Sequence, residues 1–324
     1  MPSLKYLFFL APAATLAAPA RVHVRQESSS VAAASSSTSA AVAASSTAAA
    51  AAAAAPSAAA GGLSDIDILQ FALTAEHLES TFYKQGFAKF PASDFMALGL
   101  TDAQVKSLTN VGQTEAVHVS TLISAIATAG TKPVEPCDYN FDAAFADAKT
   151  MVATARVLEA VGVSAYLGAA PLINSSDILA SAASIATVEA RHQAFIRVAS
   201  GAEAVPAPFD TALGPRAVFT LAAQFIKSCP QGSNLNIQAF PAISLQNPAQ
   251  ATIGQNLKLA DPAQPAGAQF CAFVAPGGNQ FQPLTNGNCV VPQNIAGETY
   301  MMITKSKSVA DAEVLAGPSV LQPS

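Results

Sequence analysis

The chain has 324 residues, enough for one large domain or two smaller ones. Only 11% of them are charged, well below the usual quarter. The net charge of -5 comes without a basic cluster, an acidic tail or a membrane-surface helix, so nucleic acid is excluded as a partner.

At the N-terminus Lys5 precedes 6-YLFFLAPAATLAAPA-20, an apolar run ending in small residues. This is the pattern of a secretory signal peptide over residues 1–20, cut between Ala18 and Arg21. The run is short for a membrane anchor and contains Pro12, so no span is expected after cleavage. Residues 21–62 form a linker, and from residue 28 it is nearly all Ser, Ala, Thr and Gly. Such a tract has few large apolar groups to bury and is expected to stay disordered, with its Ser/Thr-rich half suited to O-glycosylation.

Helical periodicity occupies four stretches between residues 63 and 202. The first runs from about Asp65 to Phe90. The second opens at 101-TDAQ-104, where Thr101 and Gln104 have capping-box spacing, and ends near Gly130. The third spans about Phe141 to Ala170 and stops at Pro171. The fourth begins after 174-NSSD-177 and ends at Gly201. Asn174 heads an Asn-Ser-Ser glycosylation sequon, suited to an exposed loop between helices. The fold expected is mainly α: an up-down four-helix bundle, with room for a longer second connection.

Residues 203–324 read as a C-terminal extension, one helix over 215–229 and then a β-rich or irregular region. The runs 270-FCAFVA-275 and 299-TYMMITK-305 have strand character, while 276-PGG-278 and 286-NGN-288 are turns. The end of the chain lacks the apolar tail of a lipid-anchor signal. Four cysteines in a secreted chain imply two disulfides, with three pairings open. Cys271–Cys289 would close a short loop, and Cys137–Cys229 would tie the helices to the C-terminal extension. There is no C-x-x-C, so thiolate metal binding is not expected.

The apolar stripes of the helices carry the chemistry. In the second they read Leu108, Val111, Glu115, His118, Leu122; in the fourth, Ile178, Ala182, Ile185, Glu189, His192, Ile196. Those of the first and third include Leu69, Leu73, Glu76, Tyr83 and Val152, Ala155, Glu159, Tyr166. Each stripe thus has a carboxylate near its middle, and in an antiparallel bundle these positions fall at one level. One buried, ionised, unpaired carboxylate costs on the order of several kcal/mol, and four would also repel one another. Four glutamates and two neutral imidazoles match two divalent cations, and oxygen and nitrogen ligands suit iron or manganese. One Glu from each of two helices and Glu-x-x-His from each of the other two is the ligand set of di-iron carboxylate bundles. Glu79, one turn after Glu76, is either a further ligand or a surface partner of Lys84 or Lys106; His77 lies off the stripe and reads as a surface or interface residue. Tyr83 and Tyr166 read as core aromatics whose hydroxyls find a partner.

The segments 65-DIDILQFALTAEHLESTFYKQGF-87 and 156-RVLEAVGVSAYLGAAPLI-173, with the two Glu-x-x-His helices, resemble the secreted ferritin-like proteins of fungi. That family includes stress-response and late sexual development proteins and is related to plant desiccation-related proteins. The resemblance covers about residues 63–245 and implies a ferritin-like bundle with Glu76, Glu115, His118, Glu159, Glu189 and His192 as ligands. It also implies that Tyr83 stands beside the metal site, next to its ligands. Two functions are compatible with this: a secreted di-metal oxidase or ferroxidase, or a non-enzymatic protein of the extracellular matrix or cell wall in which the bundle is a scaffold. The stalk and the C-terminal extension argue against a closed ferritin cage.

Overall fold

Ser64 and Asp67 open the first helix by a reciprocal cap. Ser64 Oγ accepts from the Asp67 N–H, and the Ser64 N–H donates to Asp67 Oδ2 at 2.8 Å. The computed structural model describes residues 62–322 except 234, 236, 247–250 and 261–264. The expected signal peptide and nearly all of the Ser/Ala linker therefore lie outside the described residues. The four long helices are α1 (Asp65–Lys89), α3 (Asp102–Thr128), α4 (Ala148–Ala169) and α5 (Ser176–Ala199), with a short α2 (Ala92–Met96) in the first connection. Thr101 and Gln104 make the capping box their spacing implies. Helix α4 starts later than its periodicity suggests, because the Asp147 carboxylate accepts the Thr150 N–H and begins the helix there.

The bundle has one long crossover. Val134 of the α3–α4 connection packs on Leu69 and Leu73, and Phe141 packs on Phe82, so this segment climbs the length of α1. Its direction makes α3 and α4 parallel and α1 antiparallel to both, giving an up, down, down, up order. His77 is buried, which excludes the surface half of its surface-or-interface expectation: its Nε2 lies 3.1 Å from the Val134 carbonyl and pins the crossover to α1. A short antiparallel pair, β1 (Asp138–Tyr139) with β2 (Ile226–Ser228), continues it, flanked by the Cys137–Cys229 disulfide.

Helix α6 (Pro215–Ala223) packs on α4, and beyond it the chain is rich in strands. Strands β3 (Asn256–Lys258) and β6 (Asn288–Val290) form one pair. The remaining four, β4 (Phe270–Ala275), β5 (Gly278–Pro283), β7 (Thr299–Thr304) and β8 (Val314–Leu321), form an antiparallel sheet in the order β5-β4-β7-β8. Cys271 in β4 is joined to Cys289 in β6, so this bond ties the small pair to the sheet. Before β6, Asn286 and Gly287 both take positive φ (50° and 73°), the conformation a type I′ turn demands and Asn-Gly supplies.

Strands β4 and β7 are buried on both faces, which is why they read as unbroken apolar runs. One face, with Ala272, Val274, Tyr300 and Met302, packs on α4 and α6; the other covers β3 and β6. Helix α4 lies between α1, α5 and this region. Ala148–Leu172 is long and apolar enough to cross a membrane by composition, and that apolarity is spent on packing. Gly168 allows the closest approach: a Cβ there would stand 2.0 Å from the Leu213 carbonyl oxygen.

Candidate metal centre

Each long helix brings its mid-stripe acid to the bundle axis. Glu76, Glu115, Glu159 and Glu189 are 0% exposed, and His118 and His192 are 7% exposed. Donor atoms of Glu76, Glu115, His118 and Glu189 all lie within 4.8 Å of one another, and so do those of Glu115, Glu159, Glu189 and His192. The two groups share Glu115 and Glu189. Each adds one Glu from α1 or α4 and one His from α3 or α5, so the cluster has approximate two-fold symmetry.

The inward atoms are acceptors facing acceptors. His118 Nδ1 lies 3.1 Å from Glu115 Oε2, 3.2 Å from Glu189 Oε1 and 3.3 Å from Glu76 Oε2. One N–H cannot serve three carboxylates. His192 Nδ1 lies 2.8 Å from Glu115 Oε1 and 3.2 Å from Glu159 Oε2, off the line of a hydrogen bond to either. Both Glu189 oxygens and one oxygen each of Glu76, Glu115 and Glu159 are buried without a hydrogen bond. Orphaned acceptors of this kind are rare in native proteins and demand a cause. A pair of divalent cations supplies one, so the residues fit the metal that the ligand pattern implies.

The outward atoms are well held. Tyr83 donates to Glu159 Oε1 and Tyr166 to Glu76 Oε1, each at 2.5 Å, leaving Oε2 of each acid turned to the centre. These bonds cross between α1 and α4, since Tyr83 stands seven residues, about 10 Å of helix rise, from the glutamate of its own helix. Burial, then the neighbouring carboxylates, raise both phenols far above their usual range, so they stay protonated donors. Thr114 Oγ1 donates to the Val111 carbonyl and lies 2.9 Å from His192 Nε2. Its single proton is spent, so it accepts from Nε2–H, which leaves Nδ1 of neutral His192 as the free lone pair.

Electrostatics show what the cluster does without a cation. Burial would lower His118, but the carboxylates of Glu115, Glu189 and Glu76 gathered around its Nδ1 outweigh this and raise it to about 12. His192 rises against burial to about 9 through Glu115 and Glu159. Glu115 resists the upward push of burial and falls to about 2, because His118 bonds to it and the His192 ring stands close beside it. Burial drives Glu76 up to about 7. Burial and mutual repulsion raise Glu79 and Glu189 well above the carboxylate range.

Glu79 is a buried member of the cluster and no partner of surface lysines, which corrects one of its two expected placements. Its room comes from Gly162, the position on α4 equivalent to Glu79 on α1. A Cβ on Gly162 would stand 2.7 Å from Glu189 Oε2 and 2.9 Å from Glu79 Oε1. The roles of Tyr166, Thr114 and Gly162 were not read from the sequence. A signal existed for Tyr166: Glu-x6-Tyr occurs in both α1 (Glu76, Tyr83) and α4 (Glu159, Tyr166). Asn174 is exposed in the α4–α5 connection, where its backbone N–H donates to Asp65 Oδ1 at 2.8 Å.

Residues 64–202 match the sequence model of the ferritin-like domain. The chain is also similar to protein rds1 of Schizosaccharomyces pombe, with 27% identity over 186 residues. That match covers 57% of this chain and 45% of the relative, so the chain spans less than half the length of the curated protein it matches. This chain therefore carries a ferritin-like domain, with a buried Glu/His cluster able to hold metal at its centre and a strand-rich region behind it.

Proposed function

We propose that this protein is secreted, binds two divalent cations in the bundle, iron in preference to manganese, and acts as a ferroxidase or oxidase. The observation that carries this reading is the set of buried, unbonded carboxylate oxygens converging on two centres with two acids in common. Glu76, Glu115, His118 and Glu189 would hold one cation and Glu115, Glu159, Glu189 and His192 the other, as the two overlapping groups of donors. Bound ferrous ions would supply the electrons for reducing dioxygen or peroxide. Tyr83, Tyr166 and Thr114 keep the donor atoms aimed inward. Glu79, with its raised pKa, holds a proton beside Glu189 for an oxidant that must take one up. The two disulfides point to an oxidising compartment, which supports secretion. The resemblance to fungal stress-response and sexual development proteins supports a role in one of those processes.

Metal analysis of the purified protein, together with Fe²⁺ oxidation, tests the reading. About two metals per chain and oxidation that is lost in Glu115→Ala/His118→Ala are expected. Less than one metal per chain with no oxidation would leave a matrix or cell-wall scaffold as the function. That second reading is favoured by the strand-rich region, which contributes none of the cluster residues and comes after an exposed loop carrying Val205 and Phe209, 70% and 67% exposed.

A further inference from the structure

The two ends of the bundle are filled differently. Beyond Tyr83, the rings of Phe82, Phe90, Phe95, Phe141 and Phe145 interlock edge to face. Toward the α4–α5 turn, small side chains face one another instead: Ala72 and Ala75 of α1, Ala125 of α3, Ala165 and Ala169 of α4, and Ala182 of α5. They leave a cavity of about 200 Å³ between the four helices. Its wall is almost wholly apolar, with Leu69, Phe71, Leu122 and Ile185 completing it.

The cavity has a defined floor and a defined mouth. Tyr166 lines the floor while its hydroxyl is committed to Glu76, and Ala75 and Ile185 stand beside the cluster, one residue before Glu76 and one turn before Glu189. The mouth lies between α3 and α5, which touch far less than α1 and α3 or α4 and α5 do. There the lining residues Thr121, Ala125, Asp177 and Ser181 are exposed. Water needs roughly two to four hydrogen-bond partners, and this wall does not supply them; an apolar void of about 150 Å³ stays dry and admits benzene. Polar or charged guests would lose their hydration without compensation.

We propose that this cavity is a binding site for an uncharged apolar small molecule, of single-ring or short-alkyl size, that enters between α3 and α5 and rests against Tyr166. The site is made by alanines and aliphatic side chains, so it stands whether or not the neighbouring cluster holds metal.

Toluene titrated into the purified full-length protein, monitored by calorimetry and by the shift in Tm, tests the site. Saturable binding of one toluene per chain and a raised Tm are expected. Ala125→Leu and Ala182→Leu fill the cavity from opposite walls; each should weaken binding at least tenfold while metal content, measured on the same samples, stays unchanged. Ala125 is exposed, so its variant should fold even where the half-buried Ala182 variant does not. Absence of saturable binding to the wild type overturns the proposal, and so does toluene affinity that is unchanged in the folded variants.

Discussion

At the seam between bundle and sheet, both oxygens of Glu298 are taken. Oε2 accepts from Arg197 Nη1 at 2.6 Å, Oε1 accepts from Gln322 at 2.9 Å, and Arg156 stands 3.5 Å away. In the bundle core, five carboxylates meet only two imidazoles, and acceptors are left over. Both clusters are buried and charged. In the first every carboxylate oxygen has a donor, and the one polar atom left over is a donor, Arg156 Nε, which faces Glu298 without a hydrogen bond. The second does not close without a cation. Unspent acceptors, and not burial or charge, separate a site from a staple.

The largest effect should come from breaking the closed cluster. Glu298→Ala leaves two guanidiniums facing each other and should cost about 3–5 kcal/mol of stability, read by denaturant unfolding. Metal content should not change; loss of metal would show the two clusters to be coupled. Glu189→Gln should do the opposite. Metal affinity should fall about a hundredfold, equivalent to about 2.7 kcal/mol, while the chelator-treated protein should be about as stable as wild type, because Gln has the shape of the uncharged, protonated carboxyl that burial and its neighbours impose on Glu189 without metal. Comparable destabilisation by both substitutions would erase the distinction.

Protons give a graded version of the same contrast. Without metal, protons are held by His118 and His192, raised to about 12 and 9, and by Glu76, raised to about 7. Cations must displace them, so metal affinity should rise with pH, by up to about tenfold per unit for each proton released. Stability of the metal-free protein should run the other way. His192 is raised on folding, so its contribution is complete below its ordinary 6.5 and is lost as pH climbs through about 9. Titrations of both quantities over that window should cross; parallel slopes would refute the charge assignment. The smallest effects belong to Tyr83→Phe and Tyr166→Phe. Each removes one bond to a carboxylate and should lower metal affinity by about tenfold. The two losses should be alike, since the tyrosines are related by the two-fold; a loss confined to one would show the two metal positions to be unequal.

Much of this was legible before any coordinate. Glu115, His118, Glu189 and His192 stood on apolar stripes, and a stripe is a local pattern of three- and four-residue steps. The boundaries set by Thr101 and Gln104, and the strands of unbroken apolar character, were equally readable. Residues whose role depends on another helix were not. Glu79 stayed open between a further ligand and a surface partner because nothing local indicates that Gly162 makes space for it. His77 stayed open between surface and interface because the crossover that covers it comes from more than fifty residues away.

The local sequence, then, determined which faces of the helices are apolar, where they start, and that each places an acid at mid-length, because periodicity and capping act over a turn or two. Only the tertiary structure decided that α1 and α4 run antiparallel, so that Tyr83 serves Glu159 and Tyr166 serves Glu76. It alone decided that one end of the bundle is filled with rings and the other left hollow. Those outcomes depend on which side chains from four separate helices meet, and helix pairing is set by the path of the crossover and by packing across the whole core, not by any segment's own propensity.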